Sequence, residues 1–420
     1  MQIQKRDIAG IPVAKATGKR SVPVSAQPAT DDRFRIDVYD SMAPLEAEWR
    51  GLEGDDLASL HQSYDWCTAW VETFRHPLAI VRGSLGDRTA FILPLEIIRE
   101  RGVRRAEFIG ARHSNINTGL FSAEFLQDAA RGLTPARKAA IAEALRGKAD
   151  LVILRNLPLD WRGRRSPLAS LSAVENQNHA FQLPFLDSFE ASLKQVNAKR
   201  RRKKFKHQSR ILDAKGGYDY VIAAPDQQDE LLDLFFEQKT TRFREAGLPD
   251  VFDDAPTRAA LHRLLRRHGN DGFDATLQMH VLRLKGEHEG HIPAVAALSR
   301  KGDHVICQFA SIDETLVAEA SPGELLFWLM IEKLHREGVA LFDFGIGDQN
   351  YKRSWCPMET TQHDLFLPIS GTGHVAALAE RSITRAKAAI KSNRQLYAFI
   401  QRLRSRQSAG TAVMDASDKD

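Results

Sequence analysis

A chain of 420 residues with 43% hydrophobic and 27% charged residues has apolar material for two or three cores, at about 150 residues per domain. That balance excludes a collagen-like repeat, a disulfide scaffold and a chain disordered throughout. The three cysteines are odd in number, lack a C-x-x-C spacing and read as reduced thiols.

The net charge of +5 is unevenly spread: Lys194 to Arg210 holds nine Lys or Arg and no acid, Arg381 to Arg406 holds eight and no acid, and the remainder is acidic. Residues 1–32 mix Lys, Arg, Gly, Pro and Ser without the apolar core of a secretory signal. No run approaches the roughly 20 apolar residues of a bilayer-spanning helix, so the expectation is a flexible leader on a soluble, cytoplasmic chain.

From Phe34 the alternation Phe34, Ile36, Val38 predicts a strand. Pro44 to Trp49 and Trp66 to Phe74 carry helical spacing. Leu78 to Val81, Ala90 to Ile98 and Ala106 to Ile109 predict successive strands, with Gly86-Asp87 as a turn. Thr134-Pro135 opens a helix to Leu145, followed by strands at Leu151 to Leu154 and Phe181 to Phe185.

The second half repeats the order. Tyr218 to Ala223 is a strand, Gln228 to Thr240 and Pro256 to Arg267 are helices, and Leu277 to Leu284, Pro293 to Ser299 and Val305 to Ile312 form a meander. Ser321-Pro322-Gly323-Glu324 reads as a capping box opening a helix that ends at Gly338. Strands at Val339 to Phe344 and His363 to Pro368 follow. Both halves thus read β-α-α-β-β-β-α-β-β, which predicts two similar lobes, at 33–188 and 189–372, between the 1–32 leader and a basic amphipathic helix with a disordered tail at 373–420.

The run Ser321-Pro322-Gly323 to Gly338, then Phe342-Asp343-Phe344-Gly345 and Tyr351-Lys352-Arg353-Ser354-Trp355, resembles the GNAT-type acetyltransferase family of the CelD cellulose-biosynthesis proteins. Tyr64-Asp65-Trp66, Trp70, Pro94-Leu95 and Phe108-Ile109-Gly110 extend the resemblance over about Phe34 to Pro368. It is more distantly similar to the Fem peptidyl transferases. The resemblance implies an α/β (α+β) fold of tandem GNAT-like N-acyltransferase domains, each a mixed central sheet flanked by helices. It also implies acyl transfer to an amine acceptor, a small molecule or a glycan in polysaccharide or cell-envelope biosynthesis. The donor, acetyl-CoA or another acyl-CoA, would lie in a cleft of the second lobe.

N-acyl transfer needs a held donor, a neutral amine and a stabilised oxyanion. A helix N-terminus suits the anionic end of a donor, which makes Ser321, Gly323 and Glu324 candidates, as an ordinary capped helix also would use them. The usual Q/R-x-x-G-x-G/A loop is absent: Asp313 to Ala320 carries three acids, Asp313, Glu314 and Glu319, which would repel a pyrophosphate. Asp343, a carboxylate in an apolar strand, must pair or take up a proton. It reads as a general base, as an orienter for Lys352, or as a group tied to amides of the Gly345–Gln349 turn.

In the Fem relatives a lysine after an aromatic residue at this place is linked with the donor or the tetrahedral intermediate, and the match here is Lys352. Tyr351 would protonate the leaving group, and Asp343 or Asp348 would accept the amine proton. Gln308 is placed to contact the donor amide. Asn115 and Asn117 read as cleft residues or loop caps, and Cys307 as a packed thiol. His288 and His291 have H-x-x-H spacing without a third ligand, so no metal is expected.

The basic strips set rival partners. Lys199 to Lys204 would serve tRNA in an aminoacyl-tRNA-dependent transferase, although Phe205 alone interleaves it. Residues 381–406 form an amphipathic helix suited to an anionic membrane surface, as in a non-catalytic adaptor of polysaccharide machinery. Docking of either strip on the acidic body is the third reading.

Overall fold

The computed structural model describes residues 34–54, 57–127, 132–267, 273 and 275–392. The expected leader at 1–32 and the chain after 392 lie outside the described residues. The first half begins with β1 (Phe34–Tyr39), α1 (Glu46–Glu53), α2 (Tyr64–Phe74), β2 (Ile80–Leu85), β3 (Arg88–Leu93), β4 (Leu95–Glu100) and β5 (Val103–Phe108). It continues through β6 (Leu120–Phe121), α3 (Ala123–Gln127), α4 (Pro135–Ala144), β7 (Leu151–Leu157), a small hairpin β8 (Asp160–Trp161) and β9 (Arg164–Arg165), and β10 (Ser172–Glu175). Then come β11 (Ala180–Pro184), α5 (Phe189–Lys194) and α6 (Ala198–Ala214).

The second half runs β12 (Tyr218–Ile222), α7 (Gln228–Glu245), α8 (Ala255–Leu265), β13 (Gln278–Leu284), β14 (Ala294–Lys301), β15 (His304–Ile312) and α9 (Pro322–Arg336). It closes with β16 (Leu341–Ile346), α10 (Asn350–Trp355), β17 (Met358–Thr360), β18 (His363–Pro368) and α11 (Gly371–Ser392).

Local chemistry sets most boundaries. Ser63, Thr134 and Asp254 each accept a hydrogen bond from a first-turn amide of α2, α4 and α8, satisfying donors that a helix start leaves orphaned. The helix α9 departs from the expected capping box. Ser321 sits at φ +45° and its hydroxyl makes no cap bond. The Glu324 carboxylate instead meets Arg201 and Lys204 of α6, each at 3.0 Å. Two cations outcompete one backbone amide for that carboxylate.

The strand expected at Ala90 to Ile98 is two strands. Pro94 has no N–H to give a ladder, and the chain changes sheets there: β3 belongs to the order β1-β2-β3-β6, β4 to the order β10-β18-β7-β5-β4. The third sheet runs β12-β13-β14-β15-β16-β11-β17. The two halves exchange strands. β11, from the first half, pairs with β16 and β17, while β18, from the end of the second, pairs with β7 and β10. Apolar runs such as Ala180 to Leu183 announce a buried strand, but not which sheet buries it.

The cores follow the same mixing. Trp49, Trp66 and Trp70 of α1 and α2 form one buried cluster with Phe235 of α7 and Leu261 and Leu264 of α8. Each such side chain contributes roughly 1.5–3 kcal/mol of burial, so this cluster fastens the halves to each other. A second cluster surrounds α9, with Trp328, Phe342 and Trp355 in it. Cys67, Cys307 and Cys356 are buried free thiols. No helix among the described residues is long and apolar enough to cross a membrane.

Candidate active site

β15 and β16 run parallel and pair from His304–Leu341 to Ile306–Asp343, and then part. Beyond that point β14 still pairs with β15 on its other side. A cleft of about 370 Å³ lies between the end of β15, the start of α9, α7 and Tyr351. Its floor and walls include Ala310, Ser311 and Ile312 of β15, Gly323 and Phe327 of α9, and Tyr351 of α10. Gly323 is required by packing, because a Cβ there would lie 2.7 Å from a methyl of Ile312.

Cations come from α7. Lys239 and Arg242 both line the cleft, and the Lys239 ammonium donates to the carbonyl of Ala310 at 2.9 Å. Burial lowers the pKa of Lys239, with the Arg242 charge acting in the same direction. Neither residue was singled out from the sequence. Their spacing from Phe235 on one helical face was the available signal.

The anion site expected at the start of α9 is sparse. Pro322 has no N–H, and the amides of Glu324 and Leu325 bond back to the Ser321 carbonyl at 3.1 and 3.3 Å. The Ser321 carbonyl also accepts from Gln208 at 3.1 Å. Of the first turn, Gly323 alone offers an amide, and Glu324 adds a carboxylate to the lining. Of the three acids expected to repel a phosphate, Glu319 is counter-charged by Lys215 at 3.1 Å, and Asp313 lies 3.5 Å from Nε2 of His291. The side-chain cations Lys239 and Arg242 line the cleft beside this helix start.

Lys352 lies behind the Tyr351 wall, 6% exposed. Its ammonium donates to the carbonyls of Ile346 at 2.6 Å and Gly345 at 3.3 Å. An ammonium has three donors, so one remains for a further acceptor. Burial brings its pKa down to about 8, against the pull of Cys307 and Asp343. The same burial pushes the Cys307 thiol up to about 12 despite Lys352 and Lys239 nearby, which keeps it protonated and packed. Tyr351 stacks on Phe327 with ring centroids 5.4 Å apart, and burial raises its phenol pKa.

Asp343 has no exposed surface. One oxygen accepts from the Gly345 amide at 2.6 Å, the other from Gln182 of β11 at 2.7 Å, with His304 at 3.4 Å. Asp343 is therefore tied to the turn. Its carboxylate orders the bend that presents the two carbonyls to Lys352. Asp348 is exposed and bonded to Arg353.

Gln308 faces the first half and not the cleft lining. Its Oε1 accepts from Asn115 at 2.9 Å and lies 3.2 Å from Nε2 of His61. Asn115 in turn accepts from the Ile346 amide at 3.3 Å. The bend permits this approach because Gly345 (φ +70°) has no Cβ; one would stand 2.6 Å from the Asn115 oxygen. Burial lowers the pKa of His61 to about 4, leaving a neutral ring that touches both halves. His61 was not anticipated. Asn117 stays within the first half, bonded to Gln62 at 2.5 Å and to the Arg155 carbonyl at 2.8 Å. Among the described residues no cluster of three His, Cys, Asp or Glu is placed to hold a metal.

The basic strip of α6 is partly neutralised. Arg201 is buried over the Trp355 ring at 3.7 Å and paired with Glu324, and Arg202 pairs with Glu190 at 2.6 Å. Lys199, Arg200, Lys203, Lys206 and Arg210 remain exposed.

Residues 199–353, from α6 through α10, match the family model of the acetyltransferase (GNAT) domain. No curated protein matches the sequence. A conserved protein of unknown function from Bacteroides thetaiotaomicron superposes with a TM-score of 0.52 at 12% identity, over 79% of this chain and 99% of that one. FemX superposes at 0.51 and 12% identity, over 76% and 95%. The C-terminal domain of a putative lysylphosphatidylglycerol synthetase from Agrobacterium fabrum superposes at 0.50 and 12% identity, over 82% and 96%. At these identities the likeness is one of fold: the chain is a mixed α/β protein, and the acetyltransferase-domain match falls on its second half.

Proposed function

We propose that the protein is an N-acyltransferase whose second half holds an activated acyl donor in the cleft beside the end of β15. The observation that carries this reading is that cleft, bounded by Ala310–Ile312, Gly323 at the start of α9, Tyr351 and the cations Lys239 and Arg242. An acceptor amine attacks the donor carbonyl, and the oxyanion that forms takes the remaining N–H of Lys352. Such a preorganised charge is worth more in a dry site than in water. Tyr351, protonated at neutral pH, gives its proton to the departing thiolate and recovers one from the amine nitrogen through water. Asp343 is a positioning residue that fixes the 345–346 carbonyls.

The donor fits an acyl-CoA best, its chain along β15 and its phosphates toward Lys239 and Arg242. The acceptor is an amine, and a setting in polysaccharide or envelope synthesis is supported by the likeness of the 321–355 motifs to CelD proteins. A second reading, an aminoacyl-tRNA donor, is favoured by the exposed cations of α6, whose Arg201 contacts α10 through Ser354.

Thermal melts with a panel of acyl-CoAs test the reading. The expected result is a rise in midpoint with wild type and none with a Lys239→Glu/Arg242→Glu variant. RNA binding that weakens steeply with salt, with no acyl-CoA effect, would transfer the proposal to the second donor. Neither effect sinks both.

A further inference from the structure

We propose that the outward face of α11 is a docking surface for an anionic lipid bilayer. The helix is packed with its polar residues inward. Glu380 bonds Arg105 at 2.8 Å and Arg155 at 3.3 Å on the first-half sheet, and Thr384 donates to Asp364 at 3.4 Å. The apolar contribution to that contact is small, Ala377 against Leu151, Ile153, Val174 and Phe366. Gly373 sets the close approach, since a Cβ there would fall 1.7 Å from the Asp150 carbonyl oxygen.

The opposite face is apolar and bare. Val375 is 71% exposed, Leu378 64% and Ile383 42%. At about 100° per residue these three fall within an arc of about 140°, with Ala379, Ser382 and Ala386 between them and Ala377 and Thr384 on the far side. Single exposed apolar residues are ordinary, but a contiguous stripe marks a contact surface.

Charge selects the occupant. Arg385 and Lys387 are exposed, and the same helical geometry sets one on each edge of the stripe. The one acid of the helix, Glu380, faces the sheet. A second copy of this face would bring cations against cations, because a two-fold contact repeats the same patch on both sides. An apolar stripe edged by cations and free of acids matches acyl chains beneath anionic headgroups. The helix lies on such a surface without crossing it, in keeping with the absence of a spanning helix among the described residues.

Co-sedimentation of the full chain with vesicles tests this. One set is phosphatidylcholine alone, the other contains about one-third phosphatidylglycerol. Binding to the anionic set is expected, falling at high salt. V375S/L378S/I383S is expected to weaken it about tenfold or more, and R385E/K387E by a similar factor. Both variants should melt as wild type does, since none of the five side chains is buried. Equal binding to neutral vesicles, no vesicle binding, binding unchanged in both variants, or a dimer that disappears in the triple variant would each overturn the proposal. Acyl-donor binding is a separate readout, so this proposal and the proposed activity fail independently.

Discussion

Each half of the molecule contains one parallel strand pair, β5–β7 and β15–β16, and the two pairs end differently. Both second strands bend at a positive φ, Asn156 at +55° and Gly345 at +70°. In the first half the bend is stitched by side chains. Arg155 reaches Glu107 at 3.7 Å, Asp364 at 3.5 Å and Glu380 at 3.3 Å, and Asn156 donates to the Ser114 carbonyl at 3.0 Å. In the second half the bend carries a glycine, and Asn115 of the first half fills the space a Cβ would take, while a cleft with aromatic and cationic walls opens beside the end of β15. The first bend is thus held by ion pairs within its own half, and the second by a contact from the other half.

The comparison breaks most visibly at Lys352. Lys352→Gln is expected to lower kcat/KM about 10³-fold, roughly 4 kcal/mol, with donor affinity little changed in a binding assay; a rate within a few-fold of wild type would remove the lysine from the site. Arg155→Met should act the other way. It leaves Glu107, Asp364 and Glu380 without their shared cation and is expected to cost about 3 kcal/mol of stability, read by denaturant unfolding. Donor binding by the folded fraction should be intact, and a parallel loss of donor affinity would mean that the lobes do not divide the work.

Asp343→Asn should show both effects in smaller measure. A charged hydrogen bond to the Gly345 amide becomes a neutral one, and two amide groups meet at Gln182. The expected loss is about 2 kcal/mol of stability, with a drop in kcat larger than any change in KM. A normal melt with an abolished rate would instead restore Asp343 as a base.

The mildest perturbation is pH. Lys352 titrates near 8 in the folded chain against 10.5 for an ordinary lysine. Its ammonium is lost as pH rises through 8, so activity should fall on an alkaline limb centred there. Between about 8 and 10.5 the unfolded chain holds more protons at this residue, so its contribution makes stability rise with pH in that window. Lys352→Gln should abolish that rise, measured as the difference in unfolding free energy between pH 8 and 10. An activity that climbs through pH 8 would make the neutral amine the working form.

Elements defined by local chemistry were legible. The helices opened by Ser63, Thr134 and Asp254, the meander from Leu277 to Ile312 and the strand holding Asp343 stand where alternation, helical spacing and caps put them. The resemblance of 321–355 to GNAT-type enzymes pointed to the lobe where the acetyltransferase-domain match falls. Other features were not legible. No sequence signal marks α10 as a helix, and the capping box expected at Ser321 is absent because Glu324 has better partners on α6. Lys239, Arg242 and His61 gave no motif, as a lone polar residue in a helix or loop says nothing about the cavity it reaches.

Sequence alone determined where many of the longer helices and strands lie and that cations cluster in two places. These follow from periodicity and short-range bonding, which a neighbouring residue can enforce. Only the tertiary structure decided that β11 and β18 trade sheets, that Asp343 meets Gln182 from the other half's strand, and that α11 turns its polar side inward. Those outcomes rest on competition among partners far apart in the chain, where burial and charge pairing choose between alternatives that local pattern leaves equal.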